Sequence, residues 1–408
     1  MLRRGVYRAA SWIAFICLAS LACIRRIGAG RRRRNGDLPR IVWGPTPLIN
    51  LKYWSKALQG RGFQSSTLVY GVYPVFMRED FDRHLDGFGP RSLRLRFLAP
   101  YFAFAWCLDN ADVFVFSYDG GYLGKTAIWS SECQLIKLAG KRTVLIPFGG
   151  DIAVPGTLGP VEAGVYEAYP DLLKRAGDIR GRILYFCKHA DFVVRTYQPG
   201  FQPRQDLLWP NALAIDADQW RPLDRADGAD ARATDVVIVH PTNHRSVKGT
   251  DLLVAAVQEL QNEGLHLRLD IMERQPNERV RIAMAEADIV GEQFIAGYGL
   301  TAVEAMSLGR PVLSNLSWLG AEFLEGTCLS ECPIVNATPA TLKDELRRLA
   351  TDPGLRGRVG RAGREYVLKY HSAEAVGRIW NSVFRHVWLK EPVASKVSAE
   401  FTSRPEGG

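Results

Sequence analysis

The chain has 408 residues, 47% of them hydrophobic and 23% charged, which is enough for two domains with separate cores. Its net charge of +9 lies in residues 1–40, which hold ten arginines and one aspartate, so the remaining body is neutral. That distribution argues against a broad nucleic-acid-binding face, and the seven scattered cysteines have neither zinc-site nor disulfide-framework spacing.

The run Ala9–Ile24 carries no charge and is bracketed by arginines. It is shorter than the roughly 20 residues that cross a bilayer comfortably. Its composition suits a marginal span, a signal core or a helix lying in the interface. Trp12 near one end suits an interfacial anchor, and Arg25, Arg26 and Arg31–Arg34 follow the run. An apolar segment and a polybasic flank act together, so residues 1–36 are expected to associate with an anionic membrane surface. The arginine bias places the body on the cytoplasmic face. No aromatic interleaves Arg31–Arg34, so no nucleic-acid partner is expected.

Residues 37–215 read as a first domain. Apolar runs at 40–44, 66–70, 112–116, 143–147 and 192–195 alternate with helix-length segments ending near Gln59, at 92–108 and at 122–139. Such alternation predicts a doubly wound parallel sheet, with ligands at the carboxyl ends of its strands. Two loops lie there, Gly44–Pro47 and Phe148–Asp151. Asp151 either bonds a ligand hydroxyl or caps its own turn, and the cap is the commoner role of such a residue.

Residues 216–234 form a linker rich in Pro, Asp and Ala. Asp216-Ala217-Asp218 is formally a D-x-D, but its position in the linker argues against a metal role. A second domain follows over 235–370. It opens with a strand at 235–240 and the loop 241–249; Thr250 then caps a helix over 251–263. Arg245 and Lys248 sit in that loop. Further on, Gly297 and Gly299 lead into a helix over 300–308, closed by Gly309 and followed by the strand 311–313. The first amides of such a helix, at Gly299, Leu300 and Thr301, are free to bind an anion. Glu304, one turn inside, reaches a ligand held at the helix mouth. Amides for a diphosphate and a carboxylate for vicinal hydroxyls suit a nucleotide-diphosphate site. Helices are expected at 341–351 and 352–370, then a last one over 371–390 carrying Trp380, Phe384 and Trp388. Residues 391–408 read as a disordered tail.

The segment Glu304-Ala-Met-Ser-Leu-Gly-Arg-Pro-Val312 resembles the E-A-M-x-x-G-x-P-V signature of family 4 retaining glycosyltransferases. The loop from His240 to Thr250 resembles the Arg…Lys-Gly element of the same family. The resemblance implies an α/β protein of the GT-B fold, two facing Rossmann-like domains with a deep interdomain cleft. It implies a nucleotide-diphosphate sugar as donor, a glycan or lipid-linked hydroxyl as acceptor, and no metal or other cofactor. Arg245 and Lys248 would stabilise the departing diphosphate, Glu304 would hold the ribose, and Gly44 would lie near the diphosphate. Asp151 would stand at a position where relatives carry a site residue, and the last helix would return to the first domain. One departure stands out. The family commonly has two glutamates eight apart, and Ala296 stands eight residues before Glu304. Glu292 and Gln293, just upstream, are the residues able to replace that contact. Two other readings follow: a sugar-nucleotide epimerase on the same fold, and a GT-B module that binds nucleotide sugars without catalysis.

Overall fold

A computed structural model describes residues 2–73, 76–90, 92–159, 161, 163–164, 174–197, 200–210, 212–223 and 235–393. Most of the expected linker (224–234) and of the tail (394–408) therefore lies outside the described residues. The chain divides into two compact units. The first holds the described residues up to 158, then 174–210 and 377–393. The second holds the described residues between 159 and 164, then 212–223 and 235–376.

The first unit is built on seven parallel strands: β1 (Ile41–Trp43), β2 (Ser65–Val69), β3 (Arg83–His84), β4 (Val113–Phe116), β5 (Arg142–Leu145), β6 (Phe192–Arg195) and β7 (Leu207–Leu208). Their order is β3-β2-β1-β4-β5-β6-β7. The chain starts in mid-sheet and winds outward in both directions, as right-handed crossovers require. The central strands β1 and β4 are buried on both faces, which is why they read as continuous apolar runs. The helix expected over 122–139 is shorter, Glu132–Leu138, because residues 117–128 form turns and Trp129–Ser131 a single 3-10 turn.

The N-terminal segment does not stand apart from this unit. Leu2–Arg34 is one continuous helix, and Leu18, Ala22 and Ala29 are buried in it. The Ser11 and Tyr101 hydroxyls are 2.7 Å apart, Arg25 pairs with Asp109, and Arg32 Nε lies 3.1 Å from the buried Asp112 carboxylate. Asp112 also receives Arg40 at 3.0 Å and Lys141 at 3.5 Å. Burial raises the pKa of an isolated carboxyl, yet Asp112 is held below the usual range because its arginine and lysine neighbours outweigh desolvation.

The last helix, Ala373–Leu389, belongs to the first unit from Gly377 onward. Trp380 inserts its ring 5.0 Å from Trp43, 5.6 Å from Trp54 and 5.2 Å from Trp209, and stacks on Phe384 at 5.3 Å. Trp388 donates to the Asp37 carbonyl, and Arg33 lies over its ring. Edge-to-face and offset aromatic contacts of this kind add to the burial of the rings themselves.

The second unit has five parallel strands: β8 (Val236–Thr242), β9 (Leu267–Glu273), β10 (Ile289–Gly291), β11 (Val312–Ser314) and β12 (Val335–Asn336), ordered β12-β11-β10-β8-β9. Residues 212–215, assigned by sequence to the first domain, belong here; Ile215 is buried beside Trp220 and its amide donates to the His371 carbonyl. Asp216 of the D-x-D accepts from the Gln219 amide at 3.1 Å, a turn cap.

Candidate functional site

Three features of the second unit lie at the carboxyl ends of β8, β10 and β11. The stretch after β8 is not a plain loop: Arg245–Lys248 make one helical turn, broken at Gly249 with φ 71°. Only glycine takes that left-handed conformation cheaply, which accounts for the Lys-Gly pair. The next helix begins at Thr250, whose hydroxyl does not cap it. That hydroxyl instead lies 2.9 Å from His240 Nε2, while His240 Nδ1 donates to the Gly291 carbonyl at 2.9 Å. Burial lowers the imidazole pKa to about 4, which leaves the ring neutral near pH 7. It clips β8 to β10 and to the following helix.

Lys248 turns inward from this stretch. Its ammonium donates to the Pro241 carbonyl at 3.0 Å and lies 3.6 Å from Glu292 Oε1. Glu292, fully buried, also accepts from Gln293 Nε2 at 2.8 Å and from Ser314 Oγ at 3.1 Å. Glu304 lies on the helix Leu300–Ser307 and is nearly buried. Burial raises its carboxyl pKa to about 8, with Lys248 acting to lower it and Glu292 to raise it. The half-buried Lys248 ammonium thus pairs with Glu292, and Glu304 lies within its electrostatic reach.

The glycines on either side of Tyr298 make room for this cluster. A Cβ on Gly299 would stand 2.8 Å from Glu292 Oε1, and one on Gly297 would stand 2.2 Å from Ser314 Oγ. Tyr298 itself has φ 143°, a strained backbone conformation for a residue with a side chain. Its anchor is internal: Tyr298 Oη lies 2.8 Å from His371 Nε2, and His371 Nδ1 donates to the Leu213 carbonyl at 2.8 Å. Burial lowers the His371 pKa to about 4, so the ring is neutral near pH 7 and its Nε2 accepts from the tyrosine hydroxyl. This clamp aims the start of the helix 300–307, and no side chain caps that start. Gly299, Leu300 and Thr301 therefore present a helix N-terminus beside Lys248, Glu292 and Glu304.

Arg245 is not part of the cluster. Half-exposed, it lies 3.1 Å from Asp251 and 3.8 Å from Glu273.

In the first unit, Gly44 has φ 152°, and a Cβ there would stand 1.9 Å from the Leu68 carbonyl oxygen. Glycine is required by that close approach alone. Asp151 accepts from the amides of Tyr118, Phe148 and Gly149, each at 3.0 Å. Buried, with two amides on Oδ1 and one on Oδ2, it closes the loop, the capping role that the sequence already offered. Burial raises its pKa to about 7. Asp151→Asn, whose Nδ2 must face an amide donor, and Asp151→Ala are each expected to lose about 1–3 kcal/mol of stability to unpaired amides, with turnover of the folded protein kept within about twofold. Denaturant melts and turnover of the two variants check this.

Sequence reading missed the neighbouring loop Ser117–Lys125. Glu132, fully buried, accepts from the amides of Gly121 and Leu123 at 3.1 Å each, and Tyr70 Oη donates to the Gly121 carbonyl at 2.8 Å. Arg182 donates to the Asp119 and Gly124 carbonyls. The signal was present in the glycines 120, 121 and 124 directly after β4.

No family model matches the sequence, and no curated protein matches it. Solved structures do. The sucrose-phosphate synthase (tll1590) of Thermosynechococcus elongatus superposes with TM-score 0.55 at 14% identity, over 86% of this chain and 100% of that one. Alr3699/HepE of Anabaena, solved in complex with UDP-glucose, superposes with TM-score 0.53 at 13% identity, over 83% of this chain and 97% of that one. At these identities the likeness shows the fold alone, and that fold is GT-B, the two-domain α/β architecture expected from the sequence.

Proposed function

We propose that the protein is a retaining glycosyltransferase that moves a sugar from a nucleotide-diphosphate donor to a hydroxyl acceptor. The observation that carries this reading is the open helix N-terminus at Gly299–Thr301, set beside the Lys248–Glu292 ion pair and the buried Glu304. Glu304 takes the ribose hydroxyls, and the amides of 299–301 take the diphosphate. Lys248 neutralises the leaving group, joined by Arg245 when it leaves Asp251. Glu292, held by Ser314 and Gln293, faces the donor sugar in place of the contact that Ala296 lacks. The acceptor hydroxyl attacks from the leaving-group face, so no carboxylate is needed on the opposite face. The cations and the helix dipole supply the positive charge, without a metal. The fold shared with a protein solved with UDP-glucose supports a nucleotide-sugar donor. A lipid-linked or glycan acceptor agrees with association of the N-terminal helix with the cytoplasmic face of a membrane, in cell-surface polysaccharide synthesis.

The test is a thermal-shift series of the protein against UDP-, GDP-, ADP- and dTDP-sugars, with Glu304→Gln beside it. At a hundredfold excess over the dissociation constant the matching donor adds about 2.7 kcal/mol of stability. The variant loses that gain. Without ligand its effect has the opposite sign. A carboxyl whose folded pKa is raised to about 8 favours folding below the ordinary range and loses that contribution as pH rises toward 8. Glu304→Gln should therefore melt higher than wild type at pH 8 while binding donor less. No shift with any nucleotide sugar, in folded protein, would refute the donor site. Hydrolysis or isomerisation of the sugar nucleotide without an acceptor would point to an epimerase.

A further inference from the structure

The N-terminal helix is apolar around its whole circumference between Ala9 and Ile24, yet only one side of it meets the protein. At 100° per residue, the buried positions Ser11, Leu18, Ala22 and Ala29 fall on one line. Ile13, Ile16, Ile24 and Ile27 fall on the opposite line, with Trp12 beside them, and these five are 62–77% exposed. Arg31 and Arg34 continue that outer line at its end and are exposed, whereas Arg25, Arg32 and Arg33 turn inward to Asp109, Asp112 and the Gly140 carbonyl. The outward face is thus an apolar stripe ending in arginines, on a segment that carries the whole net charge of the chain. An unpartnered stripe of this size needs cover.

We propose that this stripe docks in the plane of an anionic bilayer, with the helix lying along the interface and its inner face remaining fused to the first unit. The inference rests on the membrane association proposed above and decides its form. A spanning helix would have to give up the Ser11–Tyr101 hydrogen bond, the burial of Leu18, Ala22 and Ala29, and three arginine contacts, Arg32 to a fully buried aspartate among them. A helix in the interface keeps all of these and buries Trp12, Ile13, Ile16, Ile24 and Ile27 among acyl chains. The exposed arginines meet lipid phosphates, so charge selects an anionic surface over a second copy of this equally basic face.

Co-sedimentation of the full chain with phosphatidylcholine vesicles, and with vesicles that also contain phosphatidylglycerol, tests this. Binding to the anionic vesicles, weakened by salt and released by alkaline carbonate, is the expected result. The exposed thiols Cys17 and Cys23, at the edges of the stripe, should then react more slowly with a membrane-impermeant maleimide. Ile16→Glu with Ile24→Glu should weaken vesicle binding by about tenfold or more, with the melting temperature unchanged, because both side chains are exposed. Binding that resists carbonate means a spanning helix and overturns the proposal while leaving membrane association intact. Absence of binding to either vesicle overturns both. A dimer in lipid-free sedimentation, dissolved by the same double variant and unable to bind vesicles, assigns the stripe to a second copy and also overturns it.

Discussion

Lys248→Ala is expected to lower kcat for sugar transfer by about 10²–10³, the usual loss when one preorganised group facing a developing negative charge is removed. Lys248 is the cation 3.6 Å from Glu292, and its charge lowers the pKa of the buried Glu304 against the burial that raises it. Removing it leaves Glu292 without its cation at a site that must accept a diphosphate. Donor affinity should fall as well, but by less than kcat, since the leaving group gains charge only as the glycosidic bond breaks. Arg245→Ala, by contrast, should cost about tenfold at most, because Arg245 is half-exposed and engaged with Asp251. Steady-state kinetics with the donor found by thermal shift check both variants. If Lys248→Ala stays within about threefold of wild type, the diphosphate is held elsewhere.

The largest effect on stability is expected at Trp380. This side chain is fully buried, with Trp43, Trp54, Trp209 and Phe384 ringed around it, so truncation empties the centre of an aromatic cluster. Trp380→Ala should destabilise the first unit by about 3–5 kcal/mol. Hydrogen exchange resolves the two units, which a single melting curve does not. Amides of β1 and β4 should lose protection, while those of β8 and β10 keep theirs. Equal loss in both sheets would mean that the helix 373–389 stabilises the second unit as much as the first.

Much of this was legible in the sequence, and what escaped did so for physical reasons. Strands β1, β4, β5 and β6 declared themselves because buried parallel strands read as apolar runs, and the Leu68-Val69 end of β2 did so over a shorter stretch. β9 did not: Leu267–Glu273 interleaves Arg268, Asp270 and Glu273 among its apolar residues, and as an edge strand it is only partly buried. The apolar run at 9–24 was clear, but not that its helix continues to Arg34 through Gly28 and Gly30. Glycine weakens a helix, and here Arg32 and Arg33 hold the last turns by contacts to residues 80 and 107 positions away. In the site, Lys248, Glu292 and Glu304 could be named from local motifs. The clamp on Tyr298 could not, because its partner His371 lies 73 residues further along the chain. Asp151 shows the converse: a motif position filled by a suggestive residue that three amides hold as a loop cap.

The return of the last helix to the first unit has a consequence for how the chain is made. The strands of that unit emerge first from the ribosome, but Trp380 and Phe384 emerge only after the whole of 212–376 has been synthesised. At about 5–20 residues per second that interval lasts on the order of 10–30 s. During it, Trp43, Trp54 and Trp209 lack the residues that cover them in the finished protein. A first unit made without residues 377–389 is therefore expected to expose apolar aromatic surface, the kind of surface that makes partly folded chains aggregate.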